Sequence, residues 1–248
     1  MDRRQRPLVI ARGGASAAAP EHTIAAFEAA IGEGADAIGL RVRLTADGHP
    51  VVFGPAMLQK TTNGRGPLSA HTMRDLKRLD AGSWKGPRFA GQRIQTLQEV
   101  LERFRDRTRF WIELPEDRDN HGGIEERVVS TIEIYEAVEL SQVYSVNREA
   151  LDRVRALNQE VKLGAIWTTG PLDHALQTAR ALDAVCAPGE GLGVADVETI
   201  RAAELGCYVE TADKPALVDR LIGWRVDGIL TGRPGLVRAR IDLSEARS

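Results

Sequence analysis

Leu8-Val9-Ile10, then Thr23-Ile24-Ala25-Ala26-Phe27-Glu28-Ala29-Ala30-Ile31, then Ala37 to Leu44: this opening stretch decides the fold. The first and last pieces are apolar runs of strand length. The middle piece has helical spacing, with Thr23 as N-cap and Gly32 and Gly34 to stop it. A strand, a helix and a strand in so short a span form a β-α-β crossover. Ala46-Asp47-Gly48-His49 then makes a tight turn into Val51-Val52-Phe53, which predicts a hairpin arm.

Working outward, the alternation pauses and then resumes. A polar stretch from about Met57 to Gly91 carries Thr61-Thr62-Asn63-Gly64 and a short helical piece near Thr72 to Leu79. Helices are predicted at Thr96–Phe104, Ile124–Ala137, Glu149–Leu157, Leu172–Ala181, Val194–Leu205 and Ala216–Ile222, with a last one after Pro234. Strands are predicted at Phe110–Leu114, Val143–Val146, Lys162–Trp167, Ala184–Ala187, Cys207–Thr211 and Gly228–Thr231. An eightfold β/α alternation in 248 residues predicts one α/β unit over 1–248. Its form is a single (β/α)8 TIM barrel with a small insertion, about 55–92, between strands two and three. A doubly wound open sheet is the alternative.

The composition sets limits on function. Hydrophobic residues at 43% and charged residues at 27% describe an ordinary globular chain, and the net charge of −2 disfavours nucleic acid as a partner. No apolar run approaches the roughly 20 residues of a membrane span. The apolar run after the basic start is too short for a signal peptide, so the expected location is cytoplasmic. Cys186 and Cys207 have neither disulfide nor zinc spacing and read as reduced core thiols.

A barrel of this type carries its chemistry at the C-terminal ends of its strands. Those ends read Ala11-Arg12-Gly13-Gly14, Gly39-Leu40-Arg41-Val42-Arg43, Glu113-Leu114-Pro115-Glu116, Ser145-Val146-Asn147, Trp167-Thr168, Pro188, Glu210-Thr211 and Thr231-Gly232-Arg233. With Pro20-Glu21-His22-Thr23, Ala26-Phe27, Gly34-Ala35-Asp36, Thr45-Ala46-Asp47-Gly48, Val51-Val52-Phe53-Gly54-Pro55, Asp80-Ala81-Gly82-Ser83-Trp84, Thr96-Leu97-Gln98-Glu99 and Asp227-Gly228-Ile229-Leu230-Thr231, they resemble the glycerophosphodiester phosphodiesterase family in order along nearly the whole chain.

The resemblance implies two histidines for acid–base work and a divalent metal held by Glu and Asp side chains. This chain departs from the pattern at those places. The histidine positions are Ala11 and Gly54, and the metal positions are Gly39, Arg41 and Glu113. Pro115 replaces the expected lysine, and Glu210 stands where the family has a tryptophan. A guanidinium about 4 Å from a divalent ion repels it by roughly 8 kcal/mol at an effective dielectric of 20. No metal and no other cofactor is therefore expected. The expected ligand site is Arg12, Arg41, Glu113 and Glu210, taking a phosphate ester or another small anion at the barrel mouth by forked hydrogen bonds. A closed internal cluster of the same charges is the plainer alternative.

These departures lead to an expectation: a catalytically inactive pseudoenzyme that binds an anion or serves a protein partner, and not an enzyme. The alternative is an active phosphodiester hydrolase, cutting a glycerophosphodiester to glycerol 3-phosphate and an alcohol, with a site rebuilt around His22, Glu113 and Glu210. For His22, the plainer reading is a helix-start residue. His49, His71, His121 and His174 read as surface residues. Gly13-Gly14 reads as a tight turn, Arg43 as a solvated strand-end charge, and Trp84 and Phe89 as packing of the insertion. Trp167 stays open between the mouth and the helix layer.

Overall fold

The computed structural model describes residues 6–115, 123–210 and 213–247. Its elements run β1 (Leu8–Arg12), α1 (Ile24–Gly32), β2 (Ala37–Leu44), β3 (Pro50–Val52), α2 (Met73–Leu76), β4 (Gln95–Thr96), α3 (Leu97–Phe104), β5 (Arg109–Glu113), α4 (Ile124–Ile134), β6 (Ser141–Ser145), α5 (Arg148–Leu157), β7 (Lys162–Ile166), α6 (Leu172–Thr178), β8 (Ala184–Pro188), α7 (Val194–Ala202), β9 (Gly206–Glu210), α8 (Pro215–Trp224), β10 (Gly228–Thr231) and α9 (Pro234–Glu245). Strands β1, β2 and β5–β10 are parallel neighbours, and β1 pairs with both β2 and β10, so the sheet closes into an eight-stranded barrel. Strands β3 and β4 form an antiparallel arm on the end of β2. No helix among the described residues is long and apolar enough to cross a membrane.

The local signals act as expected. The Thr23 hydroxyl accepts from the Ala26 amide at 3.3 Å, which starts α1. Thr96 and Glu99 form a capping box on α3, with amide bonds of 3.1 and 2.9 Å. Helices α6 and α7 end before the predicted Ala181 and Leu205, because Ala181 (φ 61°) and Glu204 (φ 60°) adopt the left-handed conformation that glycine usually supplies.

The barrel interior is filled by rings. Trp111 stacks on Tyr144 with centroids 3.5 Å apart, and Tyr208 meets Trp111 edge-on at 4.5 Å. A Cβ at Gly164 would lie 2.0 Å from Tyr144, and one at Gly228 would lie 2.4 Å from Tyr208. Neighbouring strands therefore need glycine for the rings to lie flat. The insertion has its own core of Val51, Phe53, Leu58, Leu68, Leu76, Ala81 and Ile94. It is tied to the β1–α1 loop: Lys85 donates to the Ser16 carbonyl at 2.8 Å and Arg88 to that of Ala18 at 3.2 Å.

Candidate active site

Side chains alternate along a strand, so inward-facing residues recur every second position. Above Ile10 on β1 comes Arg12, and above Gly39 on β2 comes Arg41. Above Trp111 on β5 comes Glu113, and above Tyr208 on β9 comes Glu210. Ile10, Trp111 and Tyr208 pack in the barrel interior. The four residues above are thereby carried to the mouth, where all of them line one pocket of about 210 Å³. The expected ligand site is thus brought together. Ala11, one position off, is fully buried and packs with Phe27 and Ile38 in the layer between strands and helices. Gly39 and Gly54 line the pocket as bare backbone.

Arg41 and Glu113 are register partners on β2 and β5, and the Arg41 guanidinium donates a short hydrogen bond to the Glu113 carboxylate. Arg12 is exposed, and its side chain forms no hydrogen bond or ion pair among the described residues. Arg43 is the surprise on this strand: it is only 8% exposed, and its Nε donates to the Gly54 carbonyl at 3.1 Å. The expectation of a solvated charge there is corrected. The arm β3 folds back over β2, and the chain at Gly54 offers an inward carbonyl that holds the guanidinium.

His22 reaches the pocket by an unusual route. Gly13 and Gly14 turn the chain at φ 68° and 85°, and a Cβ at Gly14 would lie 2.6 Å from the Ala26 backbone. The His22 amide donates to the Gly13 carbonyl at 2.9 Å. His22 itself is left-handed, at φ 59°. Such a backbone is uncommon outside glycine and concentrates at functional sites. A Cβ at Gly54 would lie 3.1 Å from both Cδ2 and Nε2 of the His22 ring, and 2.9 Å from a Glu21 carboxylate oxygen. His22 Nδ1 is buried without a hydrogen-bond partner among the described residues. That leaves Nε2 as the nitrogen able to reach a ligand.

The charges tune these groups. Burial, then the Arg41, Arg12 and Arg43 guanidinium groups, lower His22 from its ordinary 6.5 to about 3, so the ring is neutral near pH 7. Burial, then the nearby Glu113 carboxylate, push the Glu210 carboxyl up, while Arg12 and Arg41 oppose the rise. Burial likewise raises the Cys186 thiol well above its usual range, so it stays protonated in the pocket wall.

The divalent cation that the resemblance implies does not fit these residues. Gly39 offers no donor, and a Cβ there would already lie 3.2 Å from the Arg12 Cα. Arg41 places a positive charge on Glu113, at the remaining carboxylate position. Among the described residues no three His, Cys, Asp or Glu side chains converge as ligands. Magnesium or calcium needs several oxygen donors free of a competing cation.

The other singled-out residues lie apart from the pocket. Trp167 packs with the helix layer around α6 and α7, which settles its open placement. Trp84 is 44% exposed beneath Lys85, so it does not pack the insertion as expected. His49 and His174 are exposed, and His71 Nδ1 sits 3.0 Å from the Pro67 carbonyl. Glu116, His121 and Thr211 lie outside the described residues.

Comparison with known proteins gives this pocket its context. The model of the glycerophosphoryl diester phosphodiesterase family matches residues 13–236. A glycerophosphodiester phosphodiesterase of Bacillus subtilis is 31% identical over 250 residues, covering 93% of this chain and 85% of that protein. One from Caldanaerobacter subterraneus subsp. tengcongensis is 35% identical over 232 residues, covering 92% and 95%. A phosphodiesterase of Oleispira antarctica, solved with its product sn-glycerol-3-phosphate, has a TM-score of 0.87 at 27% identity, covering 96% of this chain and 97% of that one.

These relatives overturn the expectation of a silent pseudoenzyme and favour an active enzyme. The expectation rested on Ala11 and Gly54, which carry no proton; His22, Glu113 and Glu210, the residues named for the active alternative, all line the pocket. The chain belongs to the glycerophosphoryl diester phosphodiesterase family.

Proposed function

We propose that the chain is a phosphodiester hydrolase that cuts a glycerophosphodiester to glycerol 3-phosphate and an alcohol, with a rebuilt site and without a divalent metal. One observation carries the reading. The ring of His22 stands where a side chain at position 54 would begin, 3.1 Å from that Cβ. On the family pattern a histidine belongs at 54. In this reading the imidazole has changed its point of attachment from the arm to the β1–α1 loop while keeping its place in the pocket.

The remaining groups take complementary roles. Arg12 and Arg41 hold the phosphodiester oxygens by forked hydrogen bonds, and Glu113 holds the Arg41 guanidinium in orientation. The bound phosphodiester offsets the arginine charge that lowers His22, so the ring becomes a better base once substrate is present. His22 Nε2 takes a proton from the attacking water. The new oxygen–phosphorus bond forms as the bond to the alcohol oxygen breaks. Glu210, carrying a proton, gives it to that oxygen. Solvent then returns the proton from His22 to Glu210. The reading treats the barrel and its insertion as one functional unit, in the cytoplasm, with a small phosphate ester as its ligand.

The test is release of glycerol 3-phosphate from glycerophosphodiesters by the purified chain in the presence of EDTA. Turnover that His22→Asn abolishes, and that Gly54→His restores in the His22→Asn background, is the expected result. No product from the unaltered chain, with or without added magnesium, calcium or manganese, overturns the reading.

A further inference from the structure

We propose that a second pocket at the mouth receives the released alcohol and selects for an uncharged one; this rests on the hydrolase reading above. The second pocket, about 490 Å³, shares Arg41, Glu113, Ile166 and Glu210 with the first. Its own walls add Leu114, Pro115, Val146, Thr168 and Arg43. The two spaces therefore adjoin along the Arg41–Glu113 pair, and Glu210 faces both. An ester whose phosphate rests on Arg12 and Arg41, with one arm in the first pocket, can direct its other arm past Glu210 into the second. The group assigned to protonate the leaving oxygen stands at that junction.

The wall chemistry sets the class of alcohol. Two guanidinium groups face two carboxylates, and Arg41 already answers Glu113. Among the described residues of this wall a cationic headgroup finds no carboxylate without a neighbouring arginine, and burial keeps Glu210 toward its neutral form. An anionic headgroup would put a second negative charge beside the phosphate held on Arg12 and Arg41 and beside the Glu113 carboxylate. Apolar surface from Leu114, Pro115, Val146 and Ile166, with the Thr168 hydroxyl, suits a short neutral polyol.

The experiment compares kcat/KM for glycerophosphoglycerol, glycerophosphocholine and glycerophosphoserine, in the unaltered chain and in Val146→Trp and Thr168→Trp. Thr168 is exposed, so its replacement leaves the core intact. The expected result is at least a tenfold preference for the neutral ester, and a tenfold or greater rise in KM for it in each Trp variant. Inhibition by glycerol 3-phosphate, which fills only the first pocket, stays unchanged. Turnover indifferent to headgroup and to both substitutions overturns the pocket assignment alone. A preference for the choline ester overturns the selectivity. No turnover of any ester overturns the hydrolase reading and this inference together.

Discussion

Gly54→Ala tests the placement of His22 directly, through stability rather than turnover. The added methyl would lie 3.1 Å from two ring atoms of His22 and 2.9 Å from a Glu21 oxygen. Glu21 can swing away at its flexible end. The imidazole cannot move as easily, because its backbone is fixed in the left-handed region by the Gly13 carbonyl. Overpacking of this kind costs about 1–3 kcal/mol. Against it stands the entropy that alanine removes from the unfolded chain, about 0.4–1 kcal/mol, since residue 54 has no positive φ. In the unaltered chain the net effect is a loss. In His22→Gly the ring is absent, and the same substitution becomes neutral or stabilising. The coupling between the two positions is then about 1–3 kcal/mol, and each kcal/mol shifts Tm by about 2–4 °C in a chain of this size. Urea denaturation of the four proteins in the cycle gives the number. A coupling below about 0.5 kcal/mol would mean that the ring does not stand over Gly54, and the account of the site would fail with it.

Three further expectations follow from the same pocket. Arg41→Lys keeps the charge but loses the fork, so kcat/KM for glycerophosphodiesters falls by about tenfold or more while the unaltered chain keeps full activity in EDTA; a chelator-sensitive wild type refutes this. Glu210→Gln loses about 10²–10⁴-fold on alkyl esters but little on a p-nitrophenyl ester, whose leaving group needs no proton; equal losses on both would deny Glu210 the role of acid. Stability also depends on pH through His22, which the fold keeps neutral down to about pH 3 while the unfolded chain binds a proton below about 6.5. Stability is therefore lost as pH falls across that window, by at most about 1.4 kcal/mol per unit. Urea midpoints of His22→Asn fall less steeply between pH 6.5 and 4, and parallel slopes would contradict the lowered value.

The barrel was legible because strand and helix periods alternate so regularly, from Leu8 to Pro234. The inward set of Arg12, Arg41, Glu113 and Glu210 was legible for a similar reason, since period two fixes the face once each strand is found. Helix ends were harder. At Glu136, Ala181, Glu204 and Arg225 the chain turns left-handed after a helix without a glycine to announce it. His22 was named for the alternative, with a helix-start residue as the plainer reading. Its place depends on a left-handed backbone at one position and a missing side chain at another thirty-two residues on, and no local pattern links the two. Two neighbouring signals did exist in the sequence: a histidine where the family has asparagine, and a glycine where it has histidine.

The closing of β1 onto both β2 and β10 has a kinetic consequence. The pocket draws on the first two strands, on β5 and on β9, and the Ala17 amide donates to the Gly232 carbonyl at 3.0 Å across the seam. Contacts so distant in sequence form late, because the loop they close is long. Secondary structure can therefore return well before a competent mouth exists. In a refolding experiment, the recovery of turnover times the moment when the chain's two ends meet.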